Sequence, residues 1–128
     1  MIVQSLDHVN IRVKDPDATI AFFNNVLGMP SSPVRKTWLM DATGRAVVHI
    51  GSSEMPYPSD NWRPFATRND SGAVHHVALS CSGYDAVLAR LRERGLDHHT
   101  NDVPQMNFKQ IFVAEPGGVL LELNFQVD

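Results

Sequence analysis

His8 and His76 head two matching stretches, LDHVNIRV at Leu6–Val13 and VHHVALSC at Val74–Cys81, 68 positions apart. Each stretch has a later counterpart in which one polar residue interrupts an apolar run: His49 between Val48 and Ile50, and Glu122 between Leu121 and Leu123. A glycine stands five positions before each, Gly44 and Gly117. Imidazole and carboxylate suit a divalent first-row metal, and three neutral histidines with one glutamate leave two octahedral positions for water or substrate. An open position of that kind points to catalysis more than to structural support. A lone interior histidine usually just finds a hydrogen-bond partner, but four such residues at repeat-matched places favour a ligand set of His8, His49, His76 and Glu122.

Two copies of one unit must position these residues, since a repeat this short buries its apolar face only against its twin or a second subunit. His8 to Val13 alternate, with Val9, Ile11 and Val13 on one face and His8, Asn10 and Arg12 on the other, the period of a strand. Asp15-Pro16 forms a helix start, Ile20, Phe23 and Leu27 recur at helical spacing, and Gly28 stops the helix. Trp38–Met40 and Ala46–Ile50 read as strands joined by a turn at Asp41 to Gly44. The order repeats: a strand at Val74–Cys81, a helix opened by Ser82 with Asp85 and closed by Gly95, then strands at Ile111–Ala114 and Val119–Phe125 around Pro116-Gly117-Gly118. Module one spans about residues 1–51, a linker 52–72 and module two about 73–128, together forming one α+β domain. The linker carries Tyr57, Trp62 and Phe65 among polar and proline residues, and reads as either a lid over a site or a packed crossover.

Strand parity puts His8, Asn10 and Arg12 on a cavity face, with His76, Ala78 and Ser80 on the matching one. Alternation in the last strand sends Leu120, Glu122 and Asn124 away from Leu121, Leu123 and Phe125. Glu122 is then a carboxylate amid apolar strand residues, costly to bury without a cation or hydrogen bonds. Gln110 and Phe112 face the cavity, with Trp38 as their approximate repeat partner, so Asn10, Arg12, Trp38, Gln110 and Phe112 are candidate substrate contacts. Arg12 is suited either to gripping a substrate carboxylate bidentately or to reaching solvent. His75 is expected to point away from His76, and His98 and His99 to sit in a solvated loop. Cys81, on the helix-facing side, reads as a small hydrophobe.

Composition excludes several classes. The 128 residues carry a net charge of −3 and 11 scattered basic residues, no footprint for nucleic acid. Apolar runs fall far short of the ~20 residues of a membrane span, and no charged-then-apolar opening suggests export, so a cytoplasmic setting is expected. A single cysteine excludes an intrachain disulfide and a thiolate zinc cage.

Paired modules of strand, helix and three strands, with a histidine in each first strand and a glutamate in the last, resemble the vicinal oxygen chelate superfamily: glyoxalase I, extradiol dioxygenases, methylmalonyl-CoA epimerase and fosfomycin-resistance enzymes. The likeness covers essentially the whole chain. His8, Val9, Ile11, Val13, Thr19, Phe22, Leu27, Gly28 and Met29 follow the glyoxalase I signature; Phe23 departs from it, and so does His49, where glyoxalases commonly have Glu or Gln. The resemblance implies two βαβββ modules, a curved mixed sheet around a metal cavity, ligands at His8, His49, His76 and Glu122, and a homodimer. It does not choose among Ni, Co, Zn, Mn and Fe.

The mechanism that follows is metal-dependent lyase or isomerase chemistry on a small substrate chelated through vicinal oxygens. By that resemblance Glu122 would move the proton, and a bound metal would stabilise the enediolate left by its loss. The first alternative is Fe(II) ring-cleaving dioxygenation, which lacks its usual partners here: Phe112 stands at the tyrosine place, Val103 to Gln105 hold no histidine, and His98 and His99 lie too far upstream. The second is a non-catalytic small-molecule-binding protein of the resistance type.

Overall fold

The computed structural model describes residues 1–126, in two compact units, Met1–Thr67 and the residues from Arg68 onward. The first unit holds β1 (Val9–Val13), α1 (Pro16–Asn25), β2 (Ser31–Ser32), β3 (Arg35–Met40) and β4 (Ala46–Ser52). The second holds β5 (Val77–Cys81), α2 (Tyr84–Glu93), β6 (His99–Val103), β7 (Phe108–Ala114) and β8 (Leu120–Gln126). Both sheets follow one plan, β1-β4-β3-β2 and β5-β8-β7-β6, in which the first strand runs parallel to the last and the others are antiparallel. These are the two βαβββ modules expected.

Period-two patterning explains the sheets. Ile11, Val13, Leu39, Val48 and Ile50 are buried on one face of the first; Ile111, Val113, Leu121, Leu123 and Phe125 are buried on one face of the second. The α1 helix adds Ile20, Phe22 and Phe23, with Val26 at its C-cap, and α2 adds Val87, Leu88 and Leu91. At about 25 cal/mol per Å² of apolar area, these stripes are the principal force holding each helix to its sheet. Asp15 caps α1, accepting from the Ala18 amide at 3.1 Å, and Pro16 occupies the first turn, where its missing N–H costs nothing.

Several expectations are corrected. His8 and His76 lie just ahead of β1 and β5, and Val74 is exposed: the parallel ladders begin at Val9 opposite Val48 and at Val77 opposite Leu121. Helix α2 is capped by Gly83 in the left-handed region rather than by Ser82, with no side-chain cap. His99 opens a polar edge strand, β6, and not a loop, because backbone pairing with β7 recruits residues whose side chains carry no strand signal. The turn glycine matching Gly44 (φ +84°) is Gly118 (φ +99°), not Gly117. An extra residue in β4, absorbed by a bulge between Leu39 and Met40, accounts for the difference. The segment 52–67 belongs to the first unit. Among the described residues no helix is long and apolar enough to cross a membrane.

Candidate functional site

In the first unit the sheet face opposite α1 carries a column of planar groups. His49 lies between two rings, with His8 at 3.7 Å and 12° and Trp38 at 4.7 Å and 13° between ring centroids and planes. The Arg35 guanidinium covers the far side of Trp38, 5.0 Å from the ring centre. Strand register builds the column, because His49 on β4 pairs with Asn10 on β1 and Trp38 on β3. Burial lowers the pKa of His49, the neighbouring His8 adds to this, and His49 is held toward its neutral form. Its Nε2 bonds the Ala46 carbonyl at 3.1 Å, so Nε2 carries the hydrogen and Nδ1 keeps its lone pair. His8 Nδ1 meets Asp7 Oδ2 at 2.6 Å, and this contact pulls the Asp7 carboxyl below its ordinary range.

Arg12 neither reaches solvent nor is held open. It donates to both Asp60 oxygens at 2.7 and 3.0 Å, to the Met55 carbonyl at 2.8 Å and to Ser52 O at 3.4 Å. Its guanidinium lies between the rings of Tyr57 and Phe65, 3.9 and 4.4 Å from their centres. Arg12 lowers the pKa of Asp60 to about 2. The Tyr57 hydroxyl donates to Asn10 Oδ1 at 3.1 Å. The aromatic linker is therefore a crossover pinned to β1. A cleft of about 250 Å³ beside it is lined by Arg12, Met55, Asp60 and Phe65 among others, and includes neither His8 nor His49.

In the second unit His76 Nε2 and Glu122 Oε1 are 3.7 Å apart, with Glu122 the more covered of the two. His75, expected to point away, instead contacts His76 Nδ1 through its own Nδ1 at 2.9 Å. One of these nitrogens must donate and the other accept. Across β8, β7 and β6, Glu122 pairs with Phe112 and Phe112 with His99, whose ring centre is 6.2 Å from that of Phe112. Sequence reading missed His99 at the site. No apolar alternation marks β6, and only the pairing of His99 with Phe112 places it on this face.

Among the described residues no group of three or more His, Cys, Asp or Glu side chains is arranged to hold a metal ion. The candidate ligands stand as two pairs, His8 with His49 and His76 with Glu122, one in each unit.

Residues 5–123 match the Glyoxalase/Bleomycin resistance protein/Dioxygenase superfamily, and the chain belongs to that family. It is 27% identical to human mitochondrial methylmalonyl-CoA epimerase, over 92% of this chain and 72% of that protein. Its fold is similar to that of a glyoxalase/dioxygenase from Nostoc punctiforme, with a TM-score of 0.71 and 15% identity over 99% of this chain and 94% of the other. It is also similar to the fosfomycin resistance protein FosX from Listeria monocytogenes, with a TM-score of 0.70 and 17% identity over 98% and 96%.

Proposed function

We propose that this protein is a metal-dependent lyase or isomerase acting on a small substrate through neighbouring oxygens, with His8, His49, His76 and Glu122 supplying ligands to a divalent cation. The observation that carries this is the hydrogen bonding of the three histidines. Each has one ring nitrogen engaged: His8 with Asp7, His49 with the Ala46 carbonyl and His76 with His75. That commitment fixes orientation and leaves the other nitrogen for a cation, the usual arrangement around metal-bound imidazole. For His76 the fitting tautomer donates from Nδ1 to His75 and turns the Nε2 lone pair toward Glu122.

A bound divalent ion would supply Lewis acidity toward a substrate carbonyl, increasing the acidity of the adjacent C–H. Glu122 takes the proton from that carbon and returns it, held beside His76 at a half-buried position where a carboxylate is not swamped by water. Trp38 and Phe112, at matching register positions, form aromatic walls, with Asn10 and Gln110 as polar neighbours. The similarity to an epimerase supports isomerase chemistry, and a homodimer is part of the proposal.

Fe(II)-dependent ring cleavage is the second reading, favoured by His99 beside Phe112 on the Glu122 face, an acid–base group close to a ring-sized surface. The deciding experiment is elemental analysis of untagged protein, followed by turnover of dicarbonyl adducts and acyl thioesters under argon and of catechols under oxygen. Near-stoichiometric metal, lost in His76→Ala, with anaerobic turnover lost in Glu122→Gln, is the expected result. Oxygen consumption with catechols selects the second reading. Failure of the wild type to take up any divalent ion overturns both.

A further inference from the structure

The geometry points to Asn101, Gln110 and Asn124 as positioning residues for Glu122: a one-way chain of side-chain amides that ties down Oε2 and leaves Oε1 as the oxygen that binds the cation or carries the proton. This rests on the metal-dependent reading above. Register assembles the chain, since Asn101 on β6 pairs with Gln110 on β7, and Gln110 with Asn124 on β8. Asn124 and Glu122 are two residues apart on one strand and so share a face. Asn101 Nδ2 donates to Gln110 Oε1 at 2.8 Å, Gln110 Nε2 to Asn124 Oδ1 at 3.0 Å, and Asn124 Nδ2 to Glu122 Oε2 at 3.0 Å.

The direction of the chain follows from its last member. An ionised carboxylate only accepts, so Asn124 must turn its NH₂ to Glu122 and its carbonyl to Gln110. Gln110 must then present its NH₂ to Asn124 and its carbonyl to Asn101. Flipping Gln110 or Asn124 breaks two hydrogen bonds at once, and the aligned dipoles reinforce one another. With Oε2 occupied by a donor, a proton accepted by Glu122 resides on Oε1, the oxygen 3.7 Å from His76 Nε2. The amides hold the carboxylate without competing for that proton, because none of them titrates.

The test uses the full-length chain, Co(II) alone as probe, and three variants. Gln110→Leu interrupts the chain with little change in volume. Gln110→Glu reverses it, since a second acceptor draws the Asn124 NH₂ away from Glu122. Asn101→Ala removes the exposed outer link and keeps the question answerable if a Gln110 variant fails to fold. Co(II) affinity is expected to fall about tenfold in Gln110→Leu, as for other residues supporting a ligand. It is expected to fall further in Gln110→Glu and by a few-fold in Asn101→Ala, with a shifted visible Co(II) spectrum and unchanged far-UV circular dichroism. The Asn124 side-chain NH₂ should exchange slowly with solvent in the wild type and quickly in Gln110→Leu, a readout that needs no metal. Affinity within twofold of wild type in every folded variant, or equal Asn124 exchange, overturns the chain alone. Absence of Co(II) binding by the wild type overturns the metal reading, and this inference with it.

Discussion

His49 and Glu122 occupy the same register position in their two sheets. His49 pairs with Asn10 on β1 and Trp38 on β3, and Glu122 with Ala78 on β5 and Phe112 on β7. Each lies opposite the residue two beyond its unit's leading histidine and opposite an aromatic residue of the neighbouring strand. One backbone plan therefore delivers an imidazole in the first unit and a carboxylate in the second.

Trp38 is the covering ring over His49, and burial is the main cause of that imidazole's lowered pKa. Trp38→Ala admits water and raises the His49 pKa back toward 6.5. Titration of the imidazole Cε1–H resonance by NMR checks the direction; an unmoved value assigns the shift to His8 instead.

The Arg12–Asp60 pair gives a pH dependence of known sign. Asp60 has a pKa of about 2 in the fold against an ordinary 3.8, so the unfolded chain binds its proton first as the medium is acidified. The pair's contribution is complete above about pH 4 and is lost as the pH falls toward 2. Denaturant unfolding of wild type and Asp60→Asn between pH 3 and 6 is expected to show a stability difference that is constant at the upper end and shrinks below about pH 4.

Glu115, 1% exposed, accepts from the Gly117 and Val119 amides at 2.7 and 3.0 Å inside the β7–β8 turn. Glu115→Ala leaves those amides without their carboxylate and is expected to cost roughly 2–3 kcal/mol, read as a lower denaturation midpoint with an unchanged slope.

Gly118 has no substitute. Its φ of +99° already disfavours a side chain, and a Cβ there would lie 2.1 Å from the Asn69 carbonyl oxygen. Gly118→Ala is expected to cost about 2 kcal/mol or more, whereas Gly44→Ala, with open space around its Cβ, should cost less. Paired melting curves decide the comparison.

The repeat, both helices and the inward parity of the strands were legible because alternation of apolar residues is a local signal: Ile11 and Val13, like Leu121, Leu123 and Phe125, are buried as their spacing implies. Asn10 and Gln110 were legible as lying on the sheet faces away from the buried Ile11 and Ile111, but their partners were not, because Tyr57 reaches Asn10 from 47 residues away and hydrogen bonds between side chains leave no period. Edge strand β6 was invisible for a related reason. Its residues His99, Thr100, Asn101 and Asp102 are exposed and belong to a strand only through pairing with β7. The chemistry of Arg12 suits either a substrate grip or a reach into solvent, whereas its position opposite the crossover commits its donors to Asp60, Met55 and Ser52.

That clamp also bears on proteolysis. A stretch rich in proline, serine and aspartate invites nicking, yet a guanidinium rooted in β1 fastens the segment from Met55 to Phe65 by ion pair, carbonyl and two ring faces. A protease must draw the chain into an extended form to cut it, and the clamp resists that until the segment detaches from β1, so digestion of this crossover is a clock for the local opening of the first unit.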